Sequence, residues 1–198
     1  MTETVGRPTA SDRFVVVTVC VGNICRSPVA ALLLQHTLGS LVRASSAGTH
    51  AVVGAGVHPP MARLLTASGV SPDGRARQLT ESMLRSADLV LTMTRELRRQ
   101  AVGLCPAAMR RAFTLPELAA LSDQTVPLVP GSGRAALVAA VAAAATRRSS
   151  VAALGDALDI ADPYGGSQAD YERAFAEIQR CVEVLGRAWS GTETTEKG

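Results

Sequence analysis

The chain has 198 residues with a formal net charge of +3, 47% hydrophobic residues and only 3% aromatic ones. This length suits one domain with a proper core, which Val, Leu and Ala must fill, and it leaves few rings for gripping nucleic-acid bases by stacking. Nineteen of the twenty basic residues are arginines, scattered instead of gathered in a stripe, so nucleic-acid binding is not expected.

Residues 1–12 and 190–198 are polar, small and aperiodic and are expected to be disordered tails around a single domain at residues 13–189. A β-branched run at residues 14–19 predicts a buried parallel strand. Pro28 stands where a first helical residue should, and a helix follows over residues 29–38 with Gly39 as its stop. Residues 42–46 read as a second strand, 59–68 as a helix ended by Gly69, and 87–93 as a third strand. Thr94 can cap a helix over residues 95–104, where Glu96 and Arg99 fall three apart. A weaker fourth strand is expected at residues 111–115 and an Ala-rich helix at 133–148. The last helix is the clearest, because Tyr171, Phe175, Ile178, Val182, Leu185 and Trp189 draw one apolar stripe. Alternating strands and helices predict an α/β fold, an open parallel sheet covered on both faces. Its ligands belong beyond the carboxyl ends of the strands, so the first strand-to-helix loop is the place to look.

The longest apolar stretch, residues 135–145, falls far short of the ~20 residues that span a bilayer, and no signal pattern precedes the first hydrophobic run. A cytoplasmic protein is expected. The four cysteines make no disulfide framework and show no Cys-x2-Cys zinc spacing. His36, His50 and His58 are scattered and read as surface or helix residues, so neither metal nor cofactor is expected.

The first loop reads Cys20-Val21-Gly22-Asn23-Ile24-Cys25-Arg26-Ser27-Pro28. A cysteine ending a strand, with an arginine six positions on that opens a helix, describes an anion cradle. Backbone N–H groups turn inward, the helix N-terminus adds partial positive charge, and the Arg26 fork matches two phosphate oxygens. The same field favours the thiolate form of Cys20, a nucleophile for in-line attack on phosphorus. Spacing alone proves nothing, since Cys105 and Arg111, and Cys181 and Arg187, are also six apart. Context separates the first pair: an apolar strand before it, Gly22 for close backbone approach, Asn23 for a left-handed turn, and Ser27 and Pro28 after it. Cys105 and Cys181 read as structural.

This loop resembles the signature of the low-molecular-weight protein tyrosine phosphatases. Further matching blocks follow in order: Ser46-Ala47-Gly48-Thr49, Ala76-Arg77-Gln78-Leu79-Thr80, Ala87-Asp88-Leu89-Val90-Leu91 and Asp162-Pro163-Tyr164-Gly165-Gly166. The resemblance covers residues 14–189. It implies a four-stranded sheet in the order 2-1-3-4 with helices on both faces and the phosphate-binding loop after strand 1. It also implies roles. Cys20 attacks phosphorus, Arg26 clamps the equatorial oxygens, and Asp162 protonates the leaving oxygen and then activates water against the phosphocysteine. Ser27 hydrogen-bonds the Cys20 thiolate, Asn23 and Ser46 bond each other to hold the loop, and Val21, Gly22, Ile24 and Cys25 complete the cradle. No metal or cofactor is implied. Cys25 either packs or forms a reversible disulfide with Cys20 under oxidation. The partner is a phosphotyrosine protein or a small phosphate monoester, without nucleic acid or membrane, and the chain is expected to be a monomer or weak dimer.

The chain departs from the pattern in places. The acidic residue that many relatives carry after the loop proline is lost at Val29-Ala30-Ala31, and Gly74 replaces a histidine that supports the loop in some members. Nothing aromatic stands at residues 49–54, where eukaryotic members place a wall of the substrate cleft, so Tyr164 alone remains to stack on a phosphotyrosine ring. Residues 122–158, rich in Ala, Gly and Pro, match nothing in the compact members and either shape the cleft or lengthen a surface helix. Two rivals share the fold. A thioredoxin-coupled arsenate reductase needs two further cysteines on a mobile segment, where only Cys105 falls, and a phosphoarginine phosphatase tends to carry Thr where this chain has Ile24. A catalytically dead phosphoprotein reader is disfavoured because Cys20, Arg26 and Asp162 are all present.

Overall fold

In the computed structural model, which describes residues 13–125, 127–129 and 132–190, four strands form one parallel sheet: β1 (Phe14–Cys20), β2 (Val42–Gly48), β3 (Leu89–Thr92) and β4 (Ala112–Thr114), in the order β2-β1-β3-β4. The expected tails at residues 1–12 and 191–198 lie outside the described residues; Ser190 is no tail residue but the end of the last helix.

The helices are α1 (Arg26–Leu38), α2 (Pro59–Ala67), α3 (Glu81–Ser86), α4 (Arg95–Leu104), α5 (Leu115–Asp123), α6 (Arg134–Thr146) and α7 (Gln168–Ser190). Short 3-10 stretches occupy Gly39–Leu41, Pro106–Arg111 and Arg148–Leu158. The period of two splits the strands between two cores. Phe14, Val16, Leu89, Leu91 and Phe113 meet the helices α1, α5 and α7, while Val17, Val19, Val90 and Ala112 meet the α3 and α4 side. Both faces of the sheet are therefore covered, as the apolar strands require. The interior is aliphatic, and one of its few ring pairs is Phe14 edge-on to Trp189 at 5.8 Å.

Element boundaries differ from expectation where local hydrogen bonds decide them. Helix α1 opens at Arg26 rather than Pro28; Pro28 still sits in the first turn, where its missing N–H costs nothing. Strand β4 stops at Thr114 because that residue caps α5 in a capping box, its side chain accepting from Glu117 N while Glu117 Oε2 accepts from Thr114 N. Helix α3, capped by Thr80, was not anticipated either, being only six residues long.

Candidate active site

The loop between β1 and α1 is held from outside by its carbonyls. Cys20, Val21, Gly22 and Ile24 accept hydrogen bonds at 2.7 to 3.0 Å from the backbone N–H groups of Thr49, His50, Val52 and His58. In a trans peptide the N–H points opposite to the preceding carbonyl. Four outward carbonyls therefore aim the N–H groups of Val21, Gly22, Asn23 and Cys25 the other way, around the Cys20 sulfur. Asn23 N lies 3.3 Å from Cys20 Sγ.

Asn23 makes the turn possible with φ at 55°, a left-handed conformation that Asn tolerates. Its side chain then spans the loop: Nδ2 donates to Ser27 Oγ at 2.9 Å and Oδ1 accepts from Arg77 N at 2.8 Å. The expected Asn23–Ser46 bond is therefore replaced. Arg77 separates the two residues, its backbone N–H taking Asn23 and its guanidinium donating to Ser46 O at 3.1 Å. Ser46 instead lines, with Asn23, a cavity of about 370 Å³ to which Cys20 does not contribute. Gly48 lets the second strand close on the loop, since a Cβ there would stand 2.3 Å from Val21 O.

Ser27 Oγ lies 2.9 Å from Cys20 Sγ. Asn23 Nδ2 already donates to that oxygen, so the hydroxyl proton of Ser27 is left for Cys20 Sγ or for the more distant Ala47 O at 3.4 Å. Cys25 is buried, and burial first, then the nearby Cys20 and Asp162, push its thiol up to about 12 against the lowering influence of Arg26. It is a thiol at neutral pH. Ile24 is half-buried and Val21 40% exposed at the rim.

Arg26 is buried under the loop. Nη1 donates to Ile160 O at 2.9 Å and Nη2 pairs with Asp162 Oδ2 at 2.5 Å, while Nε has no hydrogen-bond partner among the described residues. Asp162, distant in sequence, thus meets the arginine of the loop. Two residues that sequence reasoning missed hold its segment in place. Asp159 accepts from Arg95 N at 2.6 Å and from its guanidinium at 2.8 and 3.0 Å, and Ile160 N donates to Met93 O at 2.8 Å. Thr94 was singled out as a cap, but nothing in the sequence joined Arg95 to Asp159.

Tyr164 is 64% exposed beside this segment. His58, which sequence reading took for a surface or helix residue, is half-buried and meets two rings. It stacks on Tyr171 with centroids 5.4 Å apart and planes at 11°, and stands edge-on to Tyr164 at 5.4 Å. Residues 49–54 contribute no Phe, Tyr or Trp; His50 is exposed there, as are Val52 and Val53.

Comparison with known proteins finds relatives of one family. A family model described as low molecular weight phosphotyrosine protein phosphatase matches residues 15–125. Low molecular weight protein-tyrosine phosphatase A of Mycobacterium tuberculosis is 34% identical over 185 residues, covering 88% of this chain and 91% of that one. The probable low molecular weight protein-tyrosine-phosphatase EpsP of Ralstonia solanacearum is 29% identical over 170 residues, covering 85% and 91%. Among solved structures, the YwlE arginine phosphatase from Geobacillus stearothermophilus superposes with a TM-score of 0.66 at 26% identity, covering 88% of this chain and 91% of that one.

Proposed function

This chain belongs to the low molecular weight phosphotyrosine protein phosphatase family, and from that premise we propose that it hydrolyses phosphotyrosine in proteins, with Cys20 as nucleophile, Arg26 as phosphate clamp and Asp162 as general acid and base. It is a cysteine-dependent phosphatase whose reactive loop follows the first strand. The observation that carries the assignment of roles is the loop geometry. Asn23 N lies 3.3 Å and Ser27 Oγ 2.9 Å from Cys20 Sγ, and Arg26 of the same loop pairs with Asp162 at 2.5 Å.

The thiolate of Cys20 attacks phosphorus as the bond to the aryl oxygen breaks, and Asp162 gives its proton to that oxygen. The N–H groups and the Nε of Arg26 take the charge of the equatorial oxygens, which is electrostatic stabilisation by donors already oriented. Water then attacks the phosphocysteine, its proton passes to Asp162, and the S–P bond breaks. The hydroxyl of Ser27 stabilises the departing thiolate. A nucleophile that must stay reduced fits a reducing, cytoplasmic setting. Under peroxide, a sulfenic acid on Cys20 would be resolved by Cys25 with release of water, forming a reversible disulfide.

One relative is named an arginine phosphatase, yet the half-buried, branched Ile24 in the loop suits an aromatic ester better than a guanidinium. A disulfide relay is disfavoured, since Cys105 is buried among Val17, Val19 and Val90, on the face of the sheet opposite Cys20. Hydrolysis of aryl phosphates tests the mechanism: Cys20→Ser should abolish it for para-nitrophenyl phosphate and phenyl phosphate alike, and Asp162→Ala should cut turnover of phenyl phosphate, whose leaving oxygen needs the proton, about 10²- to 10⁴-fold while phosphate affinity remains. Turnover that survives Cys20→Ser overturns it. Competition among phosphotyrosine, phosphoserine and phosphoarginine peptides then reads the substrate class, with phosphotyrosine expected to win.

A further inference from the structure

The family match ends at Thr125, and α6 with the 3-10 stretch after it lies beyond that point. This segment packs beside β4, with Arg148 donating to Ala112 O at 2.7 Å, and builds one wall of a groove of about 570 Å³, whose other wall is α4 and the Pro106–Arg111 turn. Four arginines line the groove, Arg98, Arg99, Arg110 and Arg148, and no acidic side chain does. They come from three separate elements, which is why the sequence shows them as scattered. Glu117 pairs with Arg98 at 2.6 Å and reaches Arg148 at 3.6 Å, and Glu96 pairs with Arg99. Two carboxylates against four guanidinium groups leave a surplus of two positive charges here, in a chain whose net charge is +3. Arg110 is exposed and has no partner among the described residues. A neighbouring groove of about 400 Å³ shares Arg110 and Ala142 and is lined by Arg85, Arg111 and Arg134, with Asp88 paired to Arg134 and Glu81 to Arg85.

The groove is not purely ionic. Met109, 62% exposed, lies in it opposite the small Ala142 and Ala145 of α6, so its walls offer an adaptable apolar surface between the charges. No aromatic residue lines it, and Phe113 lies buried beneath the Arg148 guanidinium. That chemistry fits acidic side chains alternating with apolar ones and offers no aromatic ring on which bases could stack. The groove also begins close to the reactive end of the sheet. Arg98 follows by one turn the Arg95 that grips Asp159, three residues before the acid Asp162.

We propose that this groove is a docking site for an acidic, partly apolar segment of the phosphatase's protein substrate, a proposal that rests on the protein-phosphatase reading above. Docking there tethers the phosphorylated side chain beside the cleft and raises its effective concentration, and the positive field speeds encounter. Selectivity for proteins would thus come from this groove as well as from the cleft.

The test uses a fluorescein-labelled, unphosphorylated peptide of glutamate pairs separated by leucines, a control in which Gln replaces every Glu, and a labelled single-stranded oligonucleotide, all at about 0.15 M salt. Fluorescence anisotropy should show binding of the Glu peptide only, weakened roughly tenfold or more in Arg99→Glu/Arg110→Glu. The same double variant should turn over para-nitrophenyl phosphate as the wild type does and melt at the same temperature. Equal binding of the Gln peptide, equal binding by the variant, or tighter binding of the oligonucleotide overturns the docking proposal. Failure of the phosphatase reading would appear separately, as a wild type that does not hydrolyse para-nitrophenyl phosphate.

Discussion

His58 does two jobs at once. Its backbone N–H donates to Ile24 O at 2.7 Å and so helps fix the reactive loop, while its ring fills the space between Tyr171 and Tyr164. Tyr171 in turn accepts from Gly165 N at 3.3 Å through its hydroxyl, which ties the residue after Tyr164 to the last helix. The cleft that sequence reading left with one aromatic side therefore has a supported one, since Tyr164 leans on an imidazole. Loss of one ring contact is worth about 0.5–1.5 kcal/mol, or roughly two- to tenfold in affinity. Tyr164→Ala should raise KM for aryl phosphates within that range and leave kcat nearly unchanged. His58→Ala should move KM the same way by less, and His58→Phe, which keeps a ring there, should recover most of the loss. Initial-rate kinetics on para-nitrophenyl phosphate decide it, and an unchanged KM in Tyr164→Ala would mean that other residues form the wall. His58 was illegible in the sequence for a physical reason. A lone histidine before Pro59-Pro60 has no periodicity, and its ring partners lie far along the chain.

The elements that carry the chemistry were largely legible because their signals are local. A β-branched strand, a loop of fixed residue types and a helix first turn specify β1, the cradle and α1 within a short window, and Thr94 announces α4. What stayed hidden is the joint between α4 and the acid segment, made by residues that only the fold brings together. Asp159 accepts from both the backbone and the guanidinium of Arg95, and Asp156 adds a bond at 2.7 Å. Burial alone would raise the Asp159 carboxyl, but the hydrogen bonds and charge of Arg95 outweigh it and hold it below the ordinary range. A carboxyl lowered in this way contributes stability that is complete above its unfolded value of about 3.9 and is lost only as pH falls through its lower folded value. The clamp is therefore intact above about pH 4, and an acidic limb in the rate above that pH does not arise from it. Asp159→Asn should loosen Asp162 without touching the nucleophile. Turnover should fall roughly tenfold for phenyl phosphate, whose leaving oxygen needs the proton, and much less for para-nitrophenyl phosphate, whose does not. An equal loss on both esters would assign Asp159 a merely structural role.

At the scale of the molecule, the strand order leaves β2 and β4 as open edges, each a row of backbone groups that could pair with another chain. Arginines close both. On the β2 side the guanidinium of Arg77 takes Ser46 O, while Gln35 Oε1 accepts from Ala44 N at 3.1 Å. On the β4 side Arg148 donates to Ala112 O at 2.7 Å and lies 3.9 Å over the Phe113 ring. The fold class and the aliphatic core could be read from composition and periodicity, but the use of the arginines could not, because each acts on an element remote from its own. The segment at residues 122–158 likewise gained a meaning only in three dimensions: it delivers Arg148 to the free edge of the sheet. Arg148→Ala removes a charged hydrogen bond and a cation–π contact together, so it should destabilise the protein by about 1–3 kcal/mol. At this chain length that lowers the melting temperature by roughly 2–4 °C per kcal/mol. Arg148→Lys should restore only part, since an ammonium cannot lie flat on the ring while bonding the strand. Calorimetry gives the shift, and light scattering on heating should show the Ala variant associating earlier. A variant that melts and associates like the wild type would mean that β4 is protected by its three-residue length alone.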